Sequence, residues 1–350
     1  MRDTFLTKKY LYYPLLLVLF IFSIDKIFSF EFVRKYTESR PEFTFYDIKK
    51  KLLLQLSIFF SEKKDNEKLL VLLGTSHMGE FSHQYIQQKN PNWTTYNFSS
   101  PMATPSYLYY NLEMILNAEI KPDYVVFEII PETFREEANE YALKFSYDHK
   151  FILKNWKNFS KRELEVYTSA NLFSLIRFPA KLNTVWKRIK DPQSSAYLEF
   201  FYEKVNLAVT QNNGGIPNPI LANTQEDAFE KESLKFFFQN FSGKYKESKT
   251  QTYFFKKFIE TCSKNNIKLL VYKPIVSKPY QKLLNESSFY NDWWKSKIDF
   301  IEANHFPYLD MAEYTEKIQC KKFVDVHHLS GGCYPEITDI LLNKFKEVYR

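Results

Sequence analysis

Leu69-Leu70-Val71-Leu72-Leu73-Gly74-Thr75-Ser76-His77-Met78-Gly79-Glu80-Phe81 is the stretch on which the reading of this chain turns. A short unbroken apolar run bounded by glycine reads as a buried strand. Only 7 of the 350 residues are glycine, so Gly74 and Gly79 carry more information than glycines usually do. Ser76 follows the strand and opens what reads as a helix. That is where open α/β sheets place their ligand sites, beyond the carboxyl ends of the strands. Helix amides at such a point are suited to stabilising an oxyanion.

The same pattern repeats outward from this stretch. Strands are expected at Leu69 to Gly74, Thr95 to Phe98, Tyr124 to Ile130, Lys268 to Tyr272 and Tyr308 to Met311. Helices are expected at Gly79 to Gln88, Ser106 to Ala118, Gln251 to Asn265, Tyr290 to Ala303 and Glu336 to Tyr349. Strands alternating with helices imply an α/β fold: a parallel sheet with right-handed crossovers and helices on both faces. From about 135 to 250 the pattern lapses into helical and polar sequence, with a loop signal at Gln211-Asn212-Asn213-Gly214-Gly215-Ile216-Pro217. This region reads as a mainly helical insertion within one domain spanning 67–350. Before it, 33–66 reads as a juxtamembrane helix and linker, with Ile48, Leu52, Leu56 and Phe59 at helical spacing.

Residues 1–32 read as a signal anchor. Tyr10 to Ile24 is free of charge, and as one helix Tyr10 to Phe30 is about 31 Å long, enough to cross a bilayer. Arg2, Lys8 and Lys9 precede it, which predicts a cytoplasmic N-terminus and an exported remainder. A cleaved signal peptide is the main rival, but residues 1 to 40 hold no alanine or glycine for a small-residue cleavage site.

Composition excludes several classes. Hydrophobic residues at 45% and charged residues at 25% suit a folded domain rather than a disordered one. The net charge of +7 is carried mostly by dispersed lysine, whereas base and phosphate readout leans on clustered arginine, so nucleic acid is not an expected partner. No glycine-rich phosphate loop, dinucleotide fingerprint, HExxH or zinc spacing occurs, so no cofactor and no metal are expected. Cys320 and Cys333 flank a short loop; in an oxidising compartment a bridge competes with three free thiols, and a Cα separation above about 7 Å excludes it.

That loop reads Phe323-Val324-Asp325-Val326-His327-His328-Leu329-Ser330. In a turn, Asp325 and His328 face the same way, so the carboxylate orients an imidazole able to take a serine proton. In an extended segment Asp325 would instead align with His327, with His328 opposite. Gly331, Gly332 and Pro335 favour the turn.

With a glycine-x-serine after the first strand and an Asp-x-x-His before the last helix, the chain resembles the SGNH (GDSL-type) hydrolase superfamily. It looks most like a bacterial branch of membrane-anchored envelope proteins, the domain of unknown function 1574 type. Its layout is similar to the teichoic-acid D-alanylation protein and the alginate O-acetyltransferases. The resemblance covers about 66 to 135 and 250 to 350. It implies a three-layer α/β/α sandwich around a five-stranded, flavodoxin-like parallel sheet, with Ser76 as nucleophile, His328 as general base and Asp325 as its orienting acid. Two blocks of that pattern are missing. Asn97-Phe98-Ser99-Ser100-Pro101 has no glycine to offer an amide, and Val125 to Glu132 has no asparagine; Thr75 replaces the usual aspartate. Backbone amides of Ser99 or Ser100 are candidate oxyanion donors, with Asn97, Glu128 and His77 as further site candidates. A glutamate at an oxyanion repels it unless protonated or turned away.

Each of these residues also has a plainer reading. His77 is a packing or capping neighbour, His327 a surface residue or a supporting neighbour of the site, and Glu128 and Glu132 strand-end carboxylates that cap helices. Tyr147, Phe151 and Trp156 suit sugar rings or core packing. The expected function is a serine esterase or O-acyltransferase on an envelope glycan or lipid-linked sugar, held in the bacterial inner membrane by a single pass and facing the periplasm or exterior. Its partners would be the acyl donor or glycan substrate and a membrane acyltransferase. The rival is a non-catalytic protein of the same fold that binds envelope polymer or acts as a scaffold.

Overall fold

Five short strands rich in leucine, valine and aromatic residues form the sheet: β1 (Lys68–Leu73), β2 (Trp93–Asn97), β3 (Tyr124–Glu128), β4 (Lys268–Lys273) and β5 (Tyr308–Asp310). This computed structural model describes residues 3–37, 44–136, 138–224, 226–241 and 245–349. The strand order is β2-β1-β3-β4-β5 and every pairing is parallel, which is the flavodoxin-like order. Consecutive side chains along a strand point to opposite faces, and the two faces build two cores. Leu69, Val71, Leu73, Val125, Phe127, Leu269 and Val271 pack with helices Pro105–Asn117 and Lys249–Lys264. Leu70, Leu72, Val126, Leu270 and Tyr272 pack with helix Tyr334–Val348 through Ile337, Leu341 and Phe345. Because both faces are covered, the strands read as continuous apolar runs rather than as alternating ones.

The expected elements are present, with shifted ends. β3 stops at Glu128, short of Ile130, because Pro131 opens a turn of 3-10 helix. The helix expected over Gly79 to Gln88 is two, Ser76–Gly79 and His83–Lys89, since Ser82 caps the second by accepting from the Tyr85 amide. Of the residues at helical spacing in 33–66, Leu52, Leu56 and Phe59 lie on helix Lys49–Glu62, which the short helix Thr44–Asp47 precedes. The connection from β3 to β4 is largely helical, from Glu140–Phe145 to Glu230–Phe241. Tyr147 and Phe151 are buried in the core, whereas Trp156 is exposed.

The N-terminal expectation needs correction. Helix Asp3–Ile27 forms, but among the described residues no helix is long and apolar enough to cross a membrane. The apolar run ends where Asp25 and Lys26 turn to the protein rather than to an interface. Asp25 is buried, and its carboxylate accepts the amides of Ser174 (2.6 Å) and Leu175 (2.9 Å). Lys26 Nζ donates to the Leu172 carbonyl at 2.6 Å. The chain then leaves the helix through a turn at Phe28 to Phe30. Leu15 to Ile21 remain exposed. Of the basic residues behind the expected orientation, Arg2 lies outside the described residues, as do the side chains of Lys8 and Lys9.

Candidate active site

β1 delivers Ser76 to the carboxyl edge of the sheet through a glycine that nothing larger can replace. A Cβ on Gly74 would lie 2.3 Å from Glu128 Oε2 and 2.2 Å from Met78 Cγ. Only a bare backbone lets β3's last carboxylate reach under the turn. Ser76 is the first residue of the one-turn helix Ser76–Gly79, so its own amide has no acceptor within that helix.

The opposing loop is a tight turn, braced at its base. Phe323 and Leu329 form an antiparallel bridge, the Val324 amide donates to His328 O at 2.8 Å, and the Ser330 amide donates to Lys322 O at 2.7 Å. Cys320 and Cys333 are bridged, their Cα atoms 5.3 Å apart, while Cys262 is free and buried. Within the turn, Asp325 Oδ1 accepts the amides of His327 (3.0 Å) and His328 (2.8 Å), and Oδ2 accepts His328 Nδ1 at 2.8 Å. A carboxylate can only accept here, so the His328 proton sits on Nδ1 and Nε2 is left to accept. Nε2 lies 2.7 Å from Ser76 Oγ, although the two residues are 252 positions apart. Burial alone would raise Asp325, but the His328 hydrogen bond and the two neighbouring imidazoles hold it well below the usual carboxylate range. Replacing Cys320 and Cys333 by serine is expected to cost about 3 kcal/mol, the scale of a loop this short. Thermal melts of the double variant, and of the wild type with and without reductant, measure it.

Beneath the serine lies a buried acid–imidazole pair. Glu128 Oε1 is 2.7 Å from His77 Nδ1 and accepts the Thr75 hydroxyl at 2.7 Å, while Oε2 accepts the Thr75 amide at 2.6 Å. His77 Nε2 is 3.0 Å from the His327 carbonyl, which can only accept. Both His77 nitrogens therefore face acceptors, the arrangement of an imidazolium. Burial opposes that charge, but the Glu128 carboxylate, its hydrogen bond and the His327 carbonyl raise His77 above its ordinary value. Both Glu128 oxygens are thus spent on Thr75 and His77. His77 stacks on His328 with ring centroids 4.7 Å apart.

Other expectations are corrected. The Ser99 amide donates to Asn97 Oδ1 (3.0 Å) and the Ser100 amide to Gly74 O (3.1 Å), so neither is free for an oxyanion. Asn97 Nδ2 donates to Met78 O at 2.6 Å and ties the second block to the nucleophile turn. His327 does not point opposite His328: the turn brings the two rings to 4.0 Å, and His327, a quarter exposed, stacks on Phe236 beside the site. Burial, then the neighbouring His328 and His77, pull His327 down to about 3. His77, His327 and His328 place ring nitrogens within 4.8 Å of one another, a grouping able to hold a cation that the sequence reading did not foresee. Both nitrogens of His77 and both of His328 already have partners.

Two cavities meet at Ser76. One of about 180 Å³ is walled by Ser99, Ser100, Glu80 and Gly214. The Gln211 to Pro217 loop closes it: Asn97 N donates to Asn213 O, and Gly214, at φ 89°, sits so close to Asn97 O that a Cβ would lie 2.3 Å from it. The adjacent glycines were the signal for this wall. The other cavity, of about 300 Å³, is walled by residues following β3 and β4 and by helices Lys278–Glu286 and Ser288–Ala303. Its Tyr280, Tyr290, Trp293 and Lys273 had no mark in the sequence beyond aromatic density and a lysine ending an apolar strand.

No curated protein matches the chain. Among solved structures, an acetyl xylan esterase is 12% identical over 79% of this chain and 98% of its own, with a TM-score of 0.35. A GDSL-like lipase from Bacteroides thetaiotaomicron is also 12% identical, over 87% of this chain and 98% of its own, with a TM-score of 0.37. The sequence pattern of one protein family runs through nearly the whole polypeptide, residues 5–345, and the chain belongs to that family, described as "Protein of unknown function (DUF1574)".

Proposed function

We propose that the protein is a serine esterase or O-acyltransferase that acts on an envelope glycan or lipid-linked sugar through an acyl-serine intermediate. The observation that carries this reading is the 2.7 Å contact between Ser76 Oγ and His328 Nε2, with His328 Nδ1 held by Asp325. Ser76 Oγ attacks the acyl carbonyl carbon while its proton passes to His328 Nε2. The new C–O bond makes a tetrahedral oxyanion, to which the Ser76 amide donates. When the ester C–O bond breaks, the leaving oxygen takes the proton back from His328. Water or a sugar hydroxyl then attacks the acyl-serine as its proton passes to His328, and the acyl–Oγ bond breaks as His328 returns that proton to Ser76 Oγ. Asp325, kept ionised, stabilises the imidazolium in both halves.

An envelope location is part of the proposal. It is supported by the Cys320–Cys333 bridge, since disulfides persist in oxidising compartments. The exposed apolar surface at Leu15 to Ile21 suits attachment to a bilayer or to a membrane acyltransferase partner. A second reading, a non-catalytic polymer-binding or scaffold protein, is favoured by the engaged amides of Ser99 and Ser100.

A fluorophosphonate probe separates the two readings. Wild-type protein is expected to take up the label covalently and Ser76→Ala to remain unlabelled. Wild-type protein that stays unlabelled while folded would overturn the enzyme reading in favour of the scaffold.

A further inference from the structure

The larger cavity at Ser76 says what kind of acyl group fits. It encloses about 300 Å³ and shares Thr75, Ser76 and His77 with the catalytic edge. Its walls include Ile129, Val276, Leu284, Trp293, Trp294 and Phe236. Several polar groups of the wall are already engaged, whereas Trp293 Nε1 and His327 Nδ1 are buried without a hydrogen-bond partner. Glu132 accepts the Tyr280 hydroxyl at 2.7 Å, Lys273 donates to Asp310 at 2.8 Å, and Asn240 accepts from Arg135 at 2.7 Å. A ligand that carries its own charge or many hydroxyls finds few unspent partners here, whereas a hydrocarbon leaves these bonds intact. A sugar therefore fits this space poorly, and the acyl side of the ester fits it well.

Size then sets the chain. A cavity of about 150 Å³ holds one benzene, six carbons, and a group the size of water takes roughly 30 Å³. The first measure gives about twelve carbons and the second about ten, far more than an acetyl group fills. Resting on the esterase or acyltransferase reading above, we infer that the cavity is an acyl-binding pocket for medium-chain acyl groups of about eight to ten carbons. The carbonyl stands at Ser76 and the alkyl tail runs between Val276 and Trp293; the acceptor or leaving oxygen lies on the opposite side, toward Ser99.

The test uses p-nitrophenyl esters of increasing chain length with the full chain. Each buried methylene is worth roughly fourfold in binding. The octanoyl ester is therefore expected to exceed the acetyl ester in kcat/KM by at least about a hundredfold, a partial realisation of six such steps. Val276→Phe, which fills the pocket, is expected to cut octanoyl turnover at least about tenfold more than acetyl turnover. Acetyl preference in labelled, active wild-type protein would overturn the pocket assignment and leave the esterase reading standing. So would equal loss on both esters in Val276→Phe. A separate arm needs no turnover: Ser76→Ala protein is titrated with octanoate, and with acetate as control. Saturable octanoate binding that Val276→Phe weakens supports the pocket even if the labelling experiment fails; no binding of octanoate overturns it.

Discussion

His328→Ala is expected to lower kcat by at least about a hundredfold, the scale of a lost general base, while His327→Ala changes it little. The two imidazoles are adjacent in sequence and 4.0 Å apart as rings, so proximity does not separate them. Hydrogen bonding does. His328 alone bridges Asp325 and Ser76, at 2.8 and 2.7 Å. His327, held down to about 3 by burial and by its two imidazole neighbours, is a weak proton acceptor and stacks on Phe236 instead. Its backbone carbonyl, which receives His77, survives the substitution. Steady-state kinetics on any ester the wild type turns over gives the ranking. The reverse ranking would move the catalytic pair to Asp325 and His327. Equal tolerance of both substitutions, with binding intact, would support the scaffold reading.

Glu128→Ala is expected to destabilise the fold by about 3–5 kcal/mol, the penalty for breaking a buried charged pair. The substitution leaves the buried Thr75 amide without its acceptor, and takes the carboxylate from the Thr75 hydroxyl and His77 Nδ1, which keep only each other at 2.8 Å. Denaturant midpoints at constant m-value measure the loss. Glu128→Gln, which keeps the shape and one acceptor, should fall between the two. The pair also has a pH signature. His77 is raised in the folded state above its unfolded value of about 6.5, so its contribution is complete below that pH and is lost as pH rises through the folded value. Wild-type stability should therefore decline on the alkaline side of about 6.5 more steeply than that of His77→Gln. A loss below about 1 kcal/mol in Glu128→Ala, or identical pH slopes, would mean that the pair does not hold the site.

The alternation of apolar runs with helical stretches was enough to reach a parallel α/β sheet, because strands covered on both faces leave uninterrupted Leu69 to Leu73 and Leu269 to Tyr272 in the sequence itself. The turn chemistry around Gly331, Gly332 and Pro335 also pointed to a bent loop, in which Asp325 meets His328. These are local properties, set by side-chain periodicity and backbone freedom within a few residues. Two of the shifted element ends have a local cause, Pro131 after β3 and the capping Ser82 before helix His83–Lys89.

Contacts between distant residues left no such trace. Whether the Glu128 oxygens would be free or spent depended on His77, which lies 51 positions away and offers it a proton. Whether Ser99 and Ser100 had amides to spare depended on Asn97 Oδ1 and Gly74 O. The apolar run read as continuing past Asp25 to Phe30 until the helix Ser174–Arg177 supplied an amide for that carboxylate, a contact across 149 positions. The pocket at Ser76 is assembled from the ends of two strands and from helices far along the chain. Sequence by itself determined which elements form and which side chains stand at the sheet's carboxyl edge, because periodicity and turn propensity act locally. Only the tertiary structure decided which of those polar groups are spent on one another and how large a space they leave, because hydrogen-bond partners and cavity walls are settled by packing between segments that never meet in sequence.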